Sequence, residues 1–338
     1  MSETANAPTT TRNLRVGLIG LGSMGRHHAR VIRATPGMEL VAVADPGGDR
    51  FGVAGELELL PDVAALIDVG LDAAMVAVPT VYHEEVALAL AEAGVPTMVE
   101  KPIAHSVQAG RRVADAFASR DLVGAVGYVE RCNPALRALR ERLDAGELGQ
   151  VYQVLTRRQG PFPARISDVG VVKDLATHDV DLTAWVAGSP YCSISAQVTH
   201  RSGRANEDMV VANGLLANGV IVSHTVNWLT PFKERVTIVT GEKGAFVADT
   251  LTGDLTFHAN GTVESSWDQV ANFRGVSEGD VIRYAIPKRE PLALEQERFR
   301  DAVRGVGHEH VTMAEGADTL AVVEAVLTSA SENRVVGL

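Results

Sequence analysis

Short apolar runs and longer amphipathic stretches alternate along the first third of the chain. Residues 14–20, 40–45, 72–79, 96–100 and 122–127 are rich in Val, Ile, Leu and Ala, with few charges inside, as strands buried on both faces require. Between them, 25–34, 61–69, 81–93 and 106–119 carry helical spacing, with Val86, Leu90 and Ala93 along one side. Strands alternating with helices predict βαβ units and a parallel, doubly wound sheet, an α/β class.

After Gly127 the rhythm changes. Residues 134–145 read as a helix opened by Pro134 and stopped by Gly146, 151–158 begin an extended region, and a second helix spans about 174–187 before Gly188 and Pro190. Strand-like pieces follow at 194–200, 209–216, 220–228, 235–240, 245–249 and 255–258, separated by Gly-containing turns, and helices at 292–304 and 312–329 close the chain. This predicts a second, α+β domain with an open, mostly antiparallel sheet. The stretch 209–232 carries no Asp, Glu, Lys or Arg, yet Asn213-Gly214 and Asn218-Gly219 interrupt it. Asn-Gly between β-branched residues is a hairpin signal, so the expectation is two antiparallel strands and not a membrane helix. The expected divisions are a frayed tail over 1–13, a nucleotide-binding domain over 14–130 and a substrate and oligomerisation domain over 131–311, with the last helix, 312–331, returning to the first domain.

Composition narrows the function classes. The 338 residues suit two domains, and 46% apolar with 22% charged residues is ordinary for a globular protein. With 31 Lys+Arg against 42 Asp+Glu the formal charge is -11, which works against a nucleic-acid backbone or an anionic membrane as partner. Cys132 and Cys192 are the only cysteines, too few for a disulfide framework and without metal-ligand spacing, so a reducing, cytoplasmic setting is expected. The N-terminal residues show neither an apolar signal core nor an arginine-rich amphipathic pattern.

Three motifs and a basic loop carry the candidate chemistry. Gly20-Leu21-Gly22-Ser23-Met24-Gly25 stands between a predicted strand and a predicted helix, where glycines permit a tight turn and let a pyrophosphate approach the helix N-terminus. Asp45, 20 residues beyond Gly25, can accept hydrogen bonds from ribose hydroxyls. A carboxylate there repels a 2′-phosphate, so NAD is favoured; Arg50 nearby keeps NADP open. Glu100-Lys101-Pro102 ends a predicted parallel strand. Lys101 there is either a solvated lysine or a group that hydrogen-bonds a reacting hydroxyl. In the run 174–181, Asp174 and His178 are four apart and share a helix face, which suits a carboxylate-oriented proton acceptor. A helix N-cap at Asp174 and a metal site are the competing readings. The loop 157–165 holds Arg157, Arg158 and Arg165, with Lys173 beyond it. These cations either meet an anionic substrate or pair with acids elsewhere on the surface.

The glycine motif with Asp45, then VEKP, then DLATHDVD, in this order, resemble the Gfo/Idh/MocA oxidoreductases over about residues 14–331. The resemblance implies an NAD(P)-binding Rossmann domain joined to an open antiparallel sheet, a dehydrogenase acting on CH–OH groups, and a catalytic set of Lys101, Asp174 and His178. It also places Pro79, Thr80, His83 and Glu100 along the nicotinamide half of the cofactor, Lys101 against cofactor and substrate alike, and no metal. The stretches 130–154, 157–182 and 227–244 resemble the branch of that family containing UDP-N-acetylglucosamine 3-dehydrogenases, with Cys132 where that branch has an aromatic residue. That resemblance implies oxidation at C3 of a UDP-sugar, with Asn133, Arg158 and Arg165 joining Lys101, Asp174 and His178 at the substrate. An inositol or free sugar is the alternative substrate, and a non-catalytic NAD(P)-binding regulator the alternative class. The open sheet face, with Val211, Leu215, Ile221 and Val236, suggests a homodimer or homotetramer.

Overall fold

The five apolar runs of the first third, joined by a short extra strand, form six parallel strands: β1 (Leu14–Ile19), β2 (Met38–Ala44), β3 (Leu59–Leu60), β4 (Ala73–Val76), β5 (Thr97–Glu100) and β6 (Gly124–Gly127), in the order β3-β2-β1-β4-β5-β6. The computed structural model describes residues 12–163, 169–261 and 277–338. Helices α1 (Ser23–Ala34), α2 (Val63–Asp68), α3 (His83–Glu92) and α4 (Val107–Ala118) connect the strands. Local chemistry starts two of them: Asp62 accepts from the Ala65 N–H and Ser106 from the Ala109 N–H, satisfying donors that a helix leaves unpaired at its beginning. The strand order reverses between β1 and β4, which opens a crevice at the carboxyl ends of the strands. Strand β3, with two residues, is too short to show a period and was not expected.

The second sheet is built from β7 (Val151–Pro161), β8 (Tyr191–Thr199), β9 (Met209–Leu216), β10 (Ile221–Asn227), β11 (Leu229–Gly241), β12 (Gly244–Asp249), β13 (Asp254–Gly261), β14 (Ser277–Arg283) and β15 (Val336–Gly337). It is mostly antiparallel, but β10 runs parallel to β7 while pairing antiparallel with β9. Helix α5 (Pro134–Asp144) lies before β7, and a π-helical turn (Val172–Ala176) runs into α6 (Thr177–Ala187) after it. The uncharged stretch does form the β9–β10 hairpin. Its turn is Asn218-Gly219, with Gly219 at φ 84°. Asn213-Gly214 lies inside β9 instead, where a Cβ on Gly214 would stand 2.7 Å from the Ser193 carbonyl oxygen. Among the described residues no helix is long and apolar enough to cross a membrane.

Helices α7 (Pro291–Val303) and α8 (Met313–Glu332) exchange the places expected of them. Residues 292–314 group with 12–127, and 315–338 group with 128–291. Phe299 of α7 is fully buried with Val16, Leu18, Ile32, Met75 and Met98. Val322, Val323 and Val326 of α8 are buried with Leu136, Val154, Val222 and Phe246. The core that each helix completes decides its place.

The second core also encloses a histidine. His224 on β10 is buried, with Nδ1 2.7 Å from the Thr156 hydroxyl and Nε2 2.9 Å from the Tyr191 hydroxyl. Burial lowers its pKa from 6.5 to about 4. An unfolded chain takes up this proton below 6.5, whereas the folded chain resists until about 4. The group's contribution is therefore intact above 6.5 and is lost as pH falls to 4, by about 3 kcal/mol in all. Denaturant unfolding at a series of pH values should show this slope, and His224→Phe should remove that component of it.

Candidate functional site

In the first unit the carboxyl ends of β1, β2, β4 and β5 carry the predicted cofactor residues. Gly20 sits at φ 93°, and a Cβ there would stand 2.5 Å from the Ala77 carbonyl. A Cβ on Gly25 would come within 1.9 Å of the Gly20 oxygen. Both glycines are thus demanded by the protein's own packing. Gly22 differs: nothing lies within 4 Å of where its Cβ would be. It precedes α1, whose first turn, opened by Ser23 and Met24, has no side-chain cap. The result is a cradle of backbone N–H groups at a helix N-terminus, which fits a pyrophosphate.

Asp45 follows β2 and holds this cradle shut from the side. Its Oδ2 accepts from the Leu21 N–H at 2.7 Å and its Oδ1 from the Gly47 N–H at 2.8 Å. Each oxygen retains a second lone pair for ribose hydroxyls. Pro79 is exposed and Thr80 half-buried at a 3-10 turn after β4. His83 is buried, with Nδ1 2.8 Å from the Pro102 oxygen and Nε2 2.9 Å from the Val78 oxygen, and burial lowers its pKa. It ties the end of β4 to the segment after β5.

Glu100 also turns inward. Its Oε1 lies 2.7 Å from His28 Nε2, and its Oε2 accepts from the Lys101 N–H at 3.1 Å. Burial pushes this carboxyl up, but the His28 hydrogen bond and the nearby Lys101 charge outweigh that and hold it below the ordinary range. Lys101 is half-buried at the mouth of the strand and precedes a cis bond to Pro102.

In the second unit Asp174 lies within the π-helical turn, and its N–H bonds the Gly170 carbonyl at 3.1 Å. It is not the helix N-cap. Single π-turns inside helices recur at functional sites, and this one sets the phase between Asp174 and His178 of α6. The start of the turn is secured by Glu207, whose Oε1 accepts from the Val172 N–H at 3.0 Å and whose carbonyl accepts from Val171. Tyr128 packs edge-on to the His178 ring, with centroids 6.3 Å apart, and its hydroxyl is 3.0 Å from that of Thr177. Neither Glu207 nor Tyr128 is distinguished by any spacing in the sequence; only the folded chain brings them to the helix.

Two expected substrate residues are occupied elsewhere. Arg158 is buried, with Nε 2.8 Å from Asp179 and Nη1 2.8 Å from Glu130. Burial opposes its charge, but the two carboxylates outweigh burial and raise its pKa. The guanidinium expected to meet a substrate diphosphate is thus spent inside the unit, and Arg157 pairs with Glu234 at 2.9 Å. Asn133 is buried and caps α5, its Oδ1 accepting from Ala135 and its Nδ2 donating to the Thr250 carbonyl. Arg165 lies outside the described residues. Of the remaining acids in the motif, Asp181 binds Arg131 at 2.7 Å. Among the described residues no three His, Cys, Asp or Glu side chains converge as a metal site.

This geometry has counterparts in known proteins. The family described as "Oxidoreductase family, NAD-binding Rossmann fold" matches residues 14–128, and the GFO/IDH/MocA C-terminal domain matches 136–247. UDP-N-acetylglucosamine 3-dehydrogenase of Acidithiobacillus ferrooxidans is 32% identical over 86% of this chain and 89% of its own. A solved structure of that enzyme superposes with a TM-score of 0.82 at 27% identity, covering 95% of this chain and 99% of the other. Inositol 2-dehydrogenase 2 of Saccharopolyspora erythraea is 33% identical over 62% of this chain and 65% of its own. Matched by both domain families along most of its length, this chain belongs to the Gfo/Idh/MocA family of NAD-binding oxidoreductases.

Proposed function

We propose that the protein oxidises a ring secondary alcohol, with C3 of UDP-N-acetylglucosamine as the leading substrate. The observation that carries the substrate is the extent of similarity. The UDP-N-acetylglucosamine 3-dehydrogenase aligns along 86% of the chain, through both units, whereas the inositol 2-dehydrogenase aligns along 62%. Asp45, Gly22 and the open first turn of α1 would hold the cofactor, and NAD bound there would supply the hydride acceptor. Lys101 holds the reacting hydroxyl. The Asp174–His178 pair receives its proton, with the π-turn and Tyr128 setting the ring of His178. An assembly of two or four copies through the open sheet face, and a cytoplasmic setting, belong to the same reading.

A free cyclitol or sugar is the second reading, and the burial of Arg158 favours it, because the diphosphate partner expected from the sequence is engaged with Asp179 and Glu130. Incubation with NAD and a panel of UDP-sugars, free sugars and inositols, followed by absorbance of the reduced cofactor, separates the two. Turnover of UDP-N-acetylglucosamine well above the inositols is expected; the reverse order sinks the leading reading, and no turnover at all favours a regulator.

With the preferred substrate, Lys101→Ala and His178→Ala should each lower kcat by roughly 10²- to 10⁴-fold, as removal of a group that positions the reacting hydroxyl or takes its proton does, with NAD affinity by calorimetry nearly intact. Wild-type turnover in either variant removes that residue from the catalytic set. Arg158→Ala should behave differently. It strands Asp179 in the interior and should cost about 3–5 kcal/mol of stability, read as a lowered unfolding midpoint, with KM no more affected for a UDP-sugar than for an uncharged ring.

A further inference from the structure

Behind the strand end that carries Lys101 runs a buried polar chain whose outer members, His28 and Gln296, belong to no motif in the sequence. Gln296, fully buried on α7, places its Nε2 2.9 Å from His28 Nδ1 and 3.4 Å from the His28 carbonyl oxygen. An amide nitrogen donates and does not accept, so Nδ1 is the acceptor and the ring proton resides on Nε2. Turning the amide over would set its oxygen against the His28 carbonyl. Nε2–H then donates to Glu100 Oε1 at 2.7 Å, and Glu100 Oε2 accepts from the Lys101 N–H at 3.1 Å. His28 itself is buried. Four residues from three separated segments thus form one directional line that ends at Lys101.

We propose that His28, oriented by Gln296, is the positioning residue for the Glu100–Lys101 strand end: it pins the Glu100 carboxylate, and the carboxylate fixes the Lys101 backbone. This rests on Lys101 being catalytic. The physical case is that a carboxylate withdrawn from water needs donors for its oxygens, and among the described contacts His28 supplies the one side-chain donor. Without it the carboxyl protonates more readily and gains freedom to rotate away from the Lys101 amide. The helix that supplies Gln296 belongs to the segment 292–314, which rejoins the first unit after residues 128–291 have passed through the second. The lysine's setting therefore depends on that return.

The test uses the full chain. In ¹⁵N-histidine-labelled protein near neutral pH, His28 should show a protonated Nε2 and a bare Nδ1; both nitrogens protonated, or the opposite tautomer, overturns the line of donors. His28→Phe keeps the ring volume without the donor and should lower kcat on the order of 100-fold, as a displaced catalytic group does, and move the acid limb of kcat/KM to higher pH. His28→Gln, which restores an N–H toward Glu100, should recover most of kcat and return the limb. Gln296→Leu should fall between the two. A lowered melting temperature in His28→Phe with kcat and the acid limb unmoved reduces His28 to a packing role and overturns the proposal. The Lys101→Ala variant keeps the two ideas apart. If it retains turnover, the catalytic reading of Lys101 fails, while the ¹⁵N tautomer still tests the pinning by itself.

Discussion

A charge removed from water has to meet an opposite charge or a full set of hydrogen bonds, and the second unit is arranged around that demand. Helix α6 carries Asp179 and Asp181 into the interior, where Arg158 of β7 and Arg131 of the turn before α5 meet them at 2.8 and 2.7 Å. Glu130 and Glu315 complete the two arginines. These pairs lock the helix to the sheet and to its neighbours, and breaking one member would leave its partner stranded. With α6 held in this way, Asp174 and His178, on the turn just before it and at its start, keep a fixed relation to each other. The charged residues of one eight-residue motif thus divide between holding the helix and serving chemistry.

The same demand shapes the first unit at smaller scale. Asp45 spends one lone pair of each oxygen on Leu21 and Gly47 before any ribose arrives. It is a brace for the glycine loop as well as a reader of the cofactor. Glu100 is held by His28 and by the Lys101 amide, and His83 spans two loop carbonyls. The strand ends facing the cofactor cradle are therefore stiffened from within, which is how a site keeps reacting groups aligned without help from the ligand.

Much of this was legible in advance, for physical reasons that differ by residue. Period-two and continuous apolar runs mark strands because burial of alternate or both faces is written residue by residue, and β1, β2, β4, β5 and β6 followed. Gly20 and Gly25 were legible because no other side chain fits where Gly20 and Ala77 crowd them. Asn213-Gly214 is locally a turn signal, yet it lies within the strand expected over 209–216, because the close approach of β8 requires that glycine there. Helices α7 and α8 each carry apolar residues at helical spacing and say nothing individually about which core they complete.

The sequence by itself determined the two-unit plan, the nucleotide-binding loop with its acid, and the identity of Lys101, Asp174 and His178 as candidates. These rest on local spacing and on chemistry carried by single residues. Only the tertiary structure decided which charges are available. It consumed Arg158 and Asn133, turned Glu100 and His83 inward, and brought His28, Gln296, Glu207 and Tyr128 to residues far from them in the chain. A charge count cannot show this, because pairing depends on which segments meet, and segments distant in sequence meet only when the cores have formed.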